Sequence, residues 1–565
     1  MPIPAAVKEF LLTWVIPPGV EAARRRRLIP PLQKFWSRSP LPVPSRERDY
    51  FLEHGLSSAT TTRDDDTRPA ALVDRESRLR LPDGAQGQTV QFAVTSVGRW
   101  PDSACLRTGI DGTVTTHGGL SPDRWLDIRL DVPAGTQHLE LRTDASVYIS
   151  CPRAVRVGSG HGSKPNHVIV LVLDGWTTRL GDTRHPTEPG VSLTPNIDRF
   201  FSGGFEAPNG YATGEWTLPT AASFFTGVCT ARHQAFRPYA PTQLPADRPV
   251  LAEYFQAAGF HTLCMSVANR LSPAYGHHRG FDRFIYHFPE PGFTCKAYDP
   301  AVWIQELVGH LATHRSDRTF SYLHLPDVHP VWDIPPLSRA FNLGRRGNST
   351  GLALRRVRGV ANAGEQGRQL YLLRLHEVDR ALAPVFDYVD RFIPNDALVV
   401  LTADHGTPWP YLRSNRPSDE PVLVDDRTAI SLRMRGPNIP KRRLERLTAP
   451  TLDLMPTLLA RVGLPTPPDL DGQDLLDAGY HRDFLVSESM YGGVYEIALR
   501  DGRHAYIEKY PLDEQAVRVT GPAVYQRLFP AGCSDYSQPL NIPADGLVQA
   551  AHAHIRHHLS EGLDP

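Results

Sequence analysis

The chain has 565 residues, 41% of them hydrophobic and 22% charged, so it can bury a large core and does not have the composition of a disordered or fibrous protein. Lysine plus arginine equals aspartate plus glutamate at 61 each, which gives no indication of a nucleic-acid partner. The six cysteines have neither a metal-binding spacing nor the density of a disulfide framework. This favours a reducing compartment, and we expect a cytoplasmic location.

Residues 1–75 are predicted to form a helical arm followed by a polar linker, of which TTTRDDDTRP is the most polar part. The apolar run near the N-terminus is interrupted by Pro17-Pro18 and is too short to span a bilayer. Its basic residues, Arg24 to Arg27, follow the apolar run, whereas a signal peptide carries them first. We therefore expect no transmembrane segment. An amphipathic docking helix and a peripheral membrane anchor both remain open.

Residues 76–157 have the texture of an antiparallel β-sandwich. Short segments of alternating polarity, such as TVQFAVTSV, WLDIRLDV and HLELRTD, are separated by Gly, Asp and Pro. We expect this sandwich to be separate from the rest of the chain and joined to it through the glycine-rich residues 158–163.

Residues 164–480 are predicted to form one α/β domain. The run HVIVLVLDG is a strand of the kind buried on both faces of a parallel sheet, and FSYLHL and ALVVLTADHG repeat the pattern between helical stretches. Residues 481–565 follow as a small α+β subdomain with a hairpin around a DGR turn and a final helix, LVQAAHAHIRHHL, whose histidines we expect on a solvated face.

Acidic residues and a histidine follow two of the predicted parallel strands. Asp174 ends the first strand, and Asp404-His405 follow a later one. Ligands bind at the carboxyl ends of such strands, and carboxylates with an imidazole suit a divalent cation such as Mg, Mn, Ca or Zn. Taken alone, an Asp-Gly pair after a strand is also an ordinary turn.

Thr217 stands before an apolar helical run and has two possible roles. Its hydroxyl could cap the helix, or it could be a nucleophile activated by a bound cation. The backbone N–H groups of a helix N-terminus would then receive an anionic oxygen, and Pro219 fits the first turn of such a helix.

An ordered series of motifs between about residues 166 and 510 resembles the sulfatase branch of the alkaline phosphatase superfamily. The motifs are VIVLVLD, LTPNIDRF, WTLPTAASFFTGVCTARH, GFDRF, LHLPDVHPVW and LTADHG. The resemblance implies an α/β fold with an alkaline-phosphatase-like, mostly parallel sheet flanked by helices, here with an N-terminal β-sandwich and a small C-terminal α+β subdomain.

The resemblance also implies roles for individual residues. Thr217 occupies the position of the nucleophile, and His329 matches the histidine that contacts the transferred group or the leaving oxygen. The metal ligands would be Asp174, Thr217, Asp404 and His405. Gly175 stands where many sulfatases carry another metal-binding aspartate, and one bound cation is the prediction.

Four further residues are candidates for substrate contact: His324, Asp327, Asn269 and Arg270. Asn269 or Arg270 falls near a substrate-binding lysine of many sulfatases. Asp327 and His329 lie two apart in sequence, so in an extended strand they could hold a second cation. His277-His278 either face the pocket or belong to a turn.

The nucleophile segment departs from the sulfatase pattern. Sulfatases carry Cys or Ser followed by x-Pro-Ser-Arg, and the first residue becomes formylglycine, whereas this chain reads Thr217-Leu-Pro-Thr-Ala221. A formylglycine hydrate expels sulfate by collapsing to the aldehyde, which a threonine ester cannot do. A phosphothreonine can be resolved by attack at phosphorus.

The sequence therefore predicts a metal-dependent hydrolase or transferase that acts on a phosphoester of a small molecule, lipid or glycan. A sulfatase acting without formylglycine and a catalytically silent binding protein on the same fold are the alternatives.

Overall fold

The computed structural model describes most of the chain from residue 58 onward, in segments separated by gaps. The described ranges are 58–63, 66–73, 75–81, 88–97, 105–122, 124–150, 152–155, 164–178, 192–236, 244–266, 268, 270–286, 300–326, 328, 363–407, 421–514, 516–533, 539–540 and 545–558. The predicted helical arm at the N-terminus and the glycine-rich joint at 158–163 lie outside these residues.

The described segments contain strands β1 to β23 and helices α1 to α9. The strands are Ser58–Arg63, Asp66–Val73, Glu76–Arg80, Thr89–Ser96, Leu106–Ile110, Thr113–His117, Leu126–Asp131, His138–Thr143, Val147–Ser150, Arg153–Val155, His167–Leu173, Phe205–Tyr211, His261–Ser266, Arg283–Tyr286, Thr319–Leu325, Ala397–Thr402, Ala429–Arg435, Arg442–Arg443, Leu485–Tyr491, Val494–Arg500, His504–Asp513, Arg518–Val519 and Tyr525–Pro530. The helices are Pro195–Phe201, Thr217–Thr226, Thr230–His233, Leu251–Ala257, Pro300–Thr313, Ala363–Phe392, Asp425–Thr428, Pro450–Val462 and Asp545–His558.

The centre of the molecule is a sheet whose middle strands run parallel in the order β14-β13-β15-β11-β16. Every residue of β11, β15 and β16 is buried, as their continuous apolar sequences predict. β17 adds antiparallel to β16 and continues to β12. This is the mostly parallel sheet expected for the α/β domain.

The two faces of this sheet have separate hydrophobic cores. Val168, Val170 and Val172 of β11 pack in the core that also contains residues of α2, α4 and α8. The alternate residues, Ile169 and Leu171 among them, pack in the core that contains residues of α1, α5 and α6. This alternation follows from the two-residue period of a strand and places α2, which begins at Thr217, over one face of the sheet.

The predicted β-sandwich is confirmed. One layer has the order β3-β8-β5-β6, and the other contains β10, β4, β9 and β2, with β7 also paired to β4. A hydrophobic core that includes Val73, Leu79, Val90, Leu106 and Ile128 fills the space between them.

The sandwich is not separate from the central sheet, and that prediction is wrong. β2 pairs antiparallel with β14, with Thr67 opposite Phe284 and Asp66 opposite Ile285. One sandwich layer and the parallel strands therefore form a single 14-stranded sheet. The physical reason is that β14 would otherwise present an open strand edge, and β2 covers it.

The segment TTTRDDDTRP was predicted as part of a linker, but it contributes to β1 and β2. These strands form a hairpin in which Ser58 pairs with Ala71 and Arg63 with Asp66. Arg68 is only 4% exposed because it is paired with Asp127 of β7 at 2.6 Å. The polar composition of this segment thus reflects partners distant in sequence, which the sequence pattern does not reveal.

The C-terminal subdomain consists of a five-stranded sheet, β19 to β23, with α9 packed on it. His552 and His554 of α9 were expected to be solvated, but both are half-buried. Their Nε2 atoms lie 3.3 Å from Glu508 Oε1 and 3.1 Å from Glu488 Oε1, respectively. No helix in the described segments is long and apolar enough to cross a membrane.

Candidate active site

Three acidic or histidine side chains meet at the carboxyl edge of the central sheet. Asp174 follows β11, and Asp404 and His405 follow the neighbouring strand β16. All three residues are buried, with exposures of 3%, 0% and 5%. One potential ligand atom from each lies within 4.8 Å of the others, so the group could hold a metal ion.

Backbone contacts fix the orientation of Asp404 and His405. Asp404 Oδ1 accepts hydrogen bonds from the backbone N–H groups of Gly175 at 3.2 Å and His405 at 2.8 Å. His405 Nδ1 lies 2.8 Å from the carbonyl oxygen of Gly406. A carbonyl can only accept, so Nδ1 donates and the Nε2 of a neutral ring carries a lone pair toward the two carboxylates.

The turn after Asp174 is held from two sides. Gly175 has a φ of 75°, a left-handed conformation that glycine adopts without strain. Its carbonyl oxygen accepts hydrogen bonds from the Tyr371 hydroxyl at 3.0 Å and the Thr407 hydroxyl at 2.8 Å. Burial raises the pKa of Tyr371, so its hydroxyl remains a donor. These contacts stabilise the backbone on which Asp174 is placed.

Thr217 is the first residue of α2 and not its cap. Trp216 occupies the N-cap position, and its side chain makes no capping hydrogen bond. Thr217 is 6% exposed, and its hydroxyl lies 3.4 Å from His405 Nε2. Pro219 lies in the first turn, as expected. The capping role considered for Thr217 is therefore wrong, because its hydroxyl faces the cluster of Asp174, Asp404 and His405, called the Asp-His group below.

His324 near the end of β15 lies against the same carboxylates. Its Nε2 atom is 3.2 Å from Asp174 Oδ2 and 3.6 Å from Asp404 Oδ2, and the ring is completely buried. Burial alone would lower the pKa of this histidine, but contact with Asp174 and the charge of Asp404 raise it. The sequence predicted His324 only as a substrate contact.

Of the other predicted site residues, Arg270 lies near the start of α2. Its guanidinium lies over the ring of Trp216 at 5.9 Å, and Nη1 donates to the Tyr275 hydroxyl at 2.9 Å. Asn269, Asp327 and His329 lie outside the described residues. Their predicted roles stay predictions.

His277 packs behind α2, with its ring 5.7 Å from that of Phe225. It is 1% exposed, and burial lowers its pKa to about 3, so the ring is neutral. In the described contacts it does not reach the Asp-His group.

Two contacts behind α2 were not predicted. Ser223 Oγ lies 3.1 Å from His233 Nε2 and accepts a hydrogen bond from Thr213 Oγ1 at 2.9 Å. Burial lowers the pKa of His233 to about 4. This neutral chain of hydrogen bonds fixes the helix that carries Thr217. His233 belongs to the recognised CTARH motif, but the motif alone does not show which residue it contacts.

The comparisons with known proteins agree with this geometry. Residues 165–464 match the sulfatase family model, which is more than half of the chain. The chain is 25% identical to dog arylsulfatase G over 293 residues, 45% of this chain and 52% of that protein. It is 24% identical to a Δ4,5-hexuronate-2-O-sulfatase of Bacteroides thetaiotaomicron over 357 residues, 55% of this chain and 71% of that protein. The chain thus spans about half the length of the first relative.

Solved structures of similar fold include two phosphonate monoester hydrolases. The enzyme from Silicibacter pomeroyi superposes with a TM-score of 0.52 at 17% identity, covering 70% of this chain and 96% of that one. The enzyme from Agrobacterium radiobacter superposes with a TM-score of 0.50 at 17% identity, covering 70% of this chain and 95% of that one. These likenesses establish the fold.

The α/β fold, the Asp-His group at the edge of its sheet and the family match define the class. The chain belongs to the sulfatase family.

Proposed function

We propose that this enzyme cleaves or transfers a phosphoester group through Thr217, with one divalent cation held by Asp174, Thr217, Asp404 and His405. The observation that carries the proposal is the 3.4 Å separation between the Thr217 hydroxyl and His405 Nε2, at a helix start that has no side-chain cap. A hydroxyl used only to cap the helix would bond to a backbone N–H of the first turn instead.

The donor set fits a cation. Asp404 directs one oxygen, Oδ1, to backbone N–H groups, while its Oδ2 has no hydrogen-bond partner among the described residues. A buried carboxylate oxygen without a donor is costly unless a positive charge faces it. When bound, a divalent cation would neutralise these carboxylates and lower the pKa of a hydroxyl that it ligates.

The proposed reaction has two steps, formation of a phosphothreonine at residue 217 and its resolution. Thr217 Oγ attacks phosphorus and loses its proton, the bond from phosphorus to the leaving oxygen breaks, and the leaving oxygen takes up a proton. Water or an acceptor alcohol then attacks the phosphothreonine, and the Thr217 oxygen is expelled and reprotonated. On family resemblance, His329 would contact the transferred group or the leaving oxygen, and Asn269 or Arg270 would contact the anionic substrate group.

Threonine at position 217 is the reason for preferring phosphate over sulfate. Displacement at phosphorus resolves a phosphothreonine, whereas the aldehyde route that releases sulfate from formylglycine needs an oxidised Cys or Ser. Similarity of fold to phosphonate monoester hydrolases supports testing phosphonate esters as well. The natural substrate would be a small-molecule, lipid or glycan ester.

The test is a screen of phosphomonoester, phosphodiester, phosphonate monoester and sulfate ester substrates with Mn, Mg, Ca and Zn, followed by two variants. Thr217→Ala should abolish turnover with the fold and substrate binding retained, and Thr217→Ser should keep part of it. Intact-mass analysis after a rapid quench should show about 80 Da on the wild type with a phosphomonoester. Turnover by Thr217→Ala protein would reject the threonine nucleophile. Turnover of sulfate esters alone would favour the sulfatase alternative. Binding of a substrate without turnover of any ester would favour the catalytically silent binding protein.

We also propose a cytoplasmic location, on the basis of the scattered cysteines. Cell fractionation tests this, and recovery of the native protein in the membrane fraction would instead favour the peripheral anchor predicted near the N-terminus.

A further inference from the structure

His324 makes no hydrogen bond that explains its position. It is completely buried, and neither ring nitrogen has a hydrogen-bond partner among the described residues, although Nε2 lies 3.2 Å from Asp174 Oδ2. A buried imidazole that lacks well-aligned hydrogen bonds carries a desolvation cost that a native site has to offset. Because the ring is fully buried, it is poorly placed to contact a substrate directly.

His324 Nε2 lies at a ligand-to-ligand distance from one oxygen of each carboxylate. With bonds of about 2.0–2.2 Å in a site of four or five ligands, neighbouring ligand atoms lie about 3.0–3.6 Å apart. His405 Nε2 lies 3.5 Å from Asp174 Oδ1 and 3.4 Å from Asp404 Oδ2. His324 Nε2 lies 3.2 Å from Asp174 Oδ2 and 3.6 Å from Asp404 Oδ2. Both imidazoles therefore lie within 3.6 Å of the same two carboxylates; they share Asp404 Oδ2 and face different oxygens of Asp174.

The sequence lacks one metal-binding side chain that the family resemblance implies, and His324 could take its place. Gly175 stands where a further metal-binding aspartate would be expected from the family resemblance, and a glycine offers no side chain to a cation. His324 reaches the same carboxylates from β15, the strand that pairs with β11 on the side opposite β16. The missing carboxylate would thus be replaced by an imidazole from the neighbouring strand.

We propose that His324 Nε2 is a direct ligand of the cation, together with Asp174, Asp404, His405 and Thr217. This inference rests on the proposed function, since it assumes the cation at this site. Two imidazoles among the ligands favour a transition-series ion such as Zn²⁺ over Mg²⁺ and Ca²⁺, which prefer oxygen ligands alone.

The experiment uses metal-depleted full-length protein reconstituted with Co²⁺, whose visible spectrum reports its ligands. Four proteins are compared: wild type, His324→Gln, His324→Cys and the control His277→Gln. His277 is also a buried histidine with no hydrogen-bond partner for either ring nitrogen among the described residues, but its ring packs on Phe225, and none of its described contacts is with Asp174 or Asp404. Metal affinity is measured by competition with a chelator, and folding by near-ultraviolet circular dichroism.

Wild type and His277→Gln should bind about one Co²⁺ with the same spectrum. His324→Gln should bind Co²⁺ at least about 100-fold more weakly than the wild type. Mutating a residue that only hydrogen-bonds to a metal ligand already lowers metal affinity about 10–100-fold. His324→Cys should give a thiolate-to-cobalt charge-transfer band in the near ultraviolet that wild type lacks. That band requires a direct bond, so it supports the proposal even if the Gln variant folds poorly.

A folded, cobalt-loaded His324→Cys protein without the charge-transfer band would overturn the inference while leaving the proposed function intact. So would a His324→Gln protein with wild-type affinity and spectrum. Wild-type protein that binds no divalent ion at all would overturn both. Tighter binding of Mg²⁺ or Ca²⁺ than of Zn²⁺ by the wild type would contradict the nitrogen-containing ligand set.

Discussion

Arg500 Nε donates a hydrogen bond of 2.9 Å to Asp425 Oδ1, and both side chains are buried. Arg500 lies in β20 of the C-terminal subdomain, and Asp425 begins α7, which precedes β17 of the central sheet. The same guanidinium donates to the Leu423 carbonyl oxygen at 2.6 Å and lies over the ring of Tyr211 at 4.6 Å. One side chain thus joins the C-terminal sheet to β12 and to the segment that leads into β17.

Removing this arginine should destabilise the protein strongly. Arg500→Met fills similar space but leaves the Asp425 carboxylate buried without its cation, which costs about 3–5 kcal/mol. Urea denaturation followed by circular dichroism measures the change. The matched control is Arg443→Met, since Arg443 pairs with Glu445 on the surface and such pairs contribute about 0–1 kcal/mol. Equal effects of the two substitutions would show that the buried pair contributes no more than the exposed one.

Gly406 should tolerate no side chain. A Cβ at this position would lie 2.2 Å from the Asp426 carbonyl oxygen and 3.0 Å from Thr177 Cβ, so the backbone after His405 would have to move. We expect Gly406→Ala to lower both the melting temperature and the affinity for the cation, because His405 Nδ1 is oriented by the Gly406 carbonyl.

Gly309 provides the control for that substitution. It lies inside α5 with open space around its Cβ position, so Gly309→Ala should stabilise the protein by about 0.5–1 kcal/mol and leave metal affinity unchanged. A Gly406→Ala protein that melts and binds metal like the wild type would show that the loop can shift freely.

Asp404→Ala should lose the bound cation. The carboxylate has one oxygen fixed by two backbone N–H groups and the other directed at the histidines, so nothing nearby replaces it. Elemental analysis of purified protein should show about one divalent ion per chain in the wild type and far less in this variant. Asp327→Ala should leave that content unchanged. A wild-type content near two, reduced to one by Asp327→Ala, would instead assign Asp327 to a second metal site.

Several buried histidines should make the fold sensitive to mild acid. Burial lowers the pKa of His233, His261 and His278 from 6.5 to about 4 and that of His277 to about 3. The unfolded chain therefore binds protons at these rings below about pH 6.5, and the folded chain does so only near pH 3–4. The free energy of unfolding should fall as the pH drops through this window.

Urea denaturation at a series of pH values between 7 and 4 tests this expectation. His277→Gln removes one such group and should make the pH dependence shallower. His481→Gln, at an exposed site, should not change it. Constant stability from pH 7 to pH 4 would contradict the assignment of these rings as neutral and buried.

The parallel strands, the sandwich and the helix start at Thr217 were predicted correctly because each depends on a pattern of neighbouring residues. The apolar runs that end at Asp174 and before Asp404 identified the parallel strands and the edge at which their carboxylates meet. The alternating segments between residues 76 and 157 identified the sandwich. Thr217 could be placed at the start of a helix because Pro219 and the apolar run after it have helical spacing.

The remaining features depend on partners far apart in the chain. Tyr371 supports the turn after Asp174 across 196 residues, and no signal near either residue indicates the contact. The polar segment 60–69 was assigned to a linker because local sequence does not indicate its pairing with β14 or the ion pair from Arg68 to Asp127. His324 was assigned to the substrate because the register of β15 beside β11, and not its own neighbours, brings it to the carboxylates.

The pairing of β2 with β14 makes the unfolding of the sandwich and of the catalytic sheet a single event. Ion pairs from Arg153 to Asp282 at 2.9 Å and from Arg129 to the buried Asp317 cross the same boundary. Calorimetry should record one endotherm, with a van't Hoff enthalpy close to the calorimetric enthalpy of the whole assembly. A catalytic fragment starting near residue 164 would expose the edge of β14 and would associate through it rather than fold as an independent monomer.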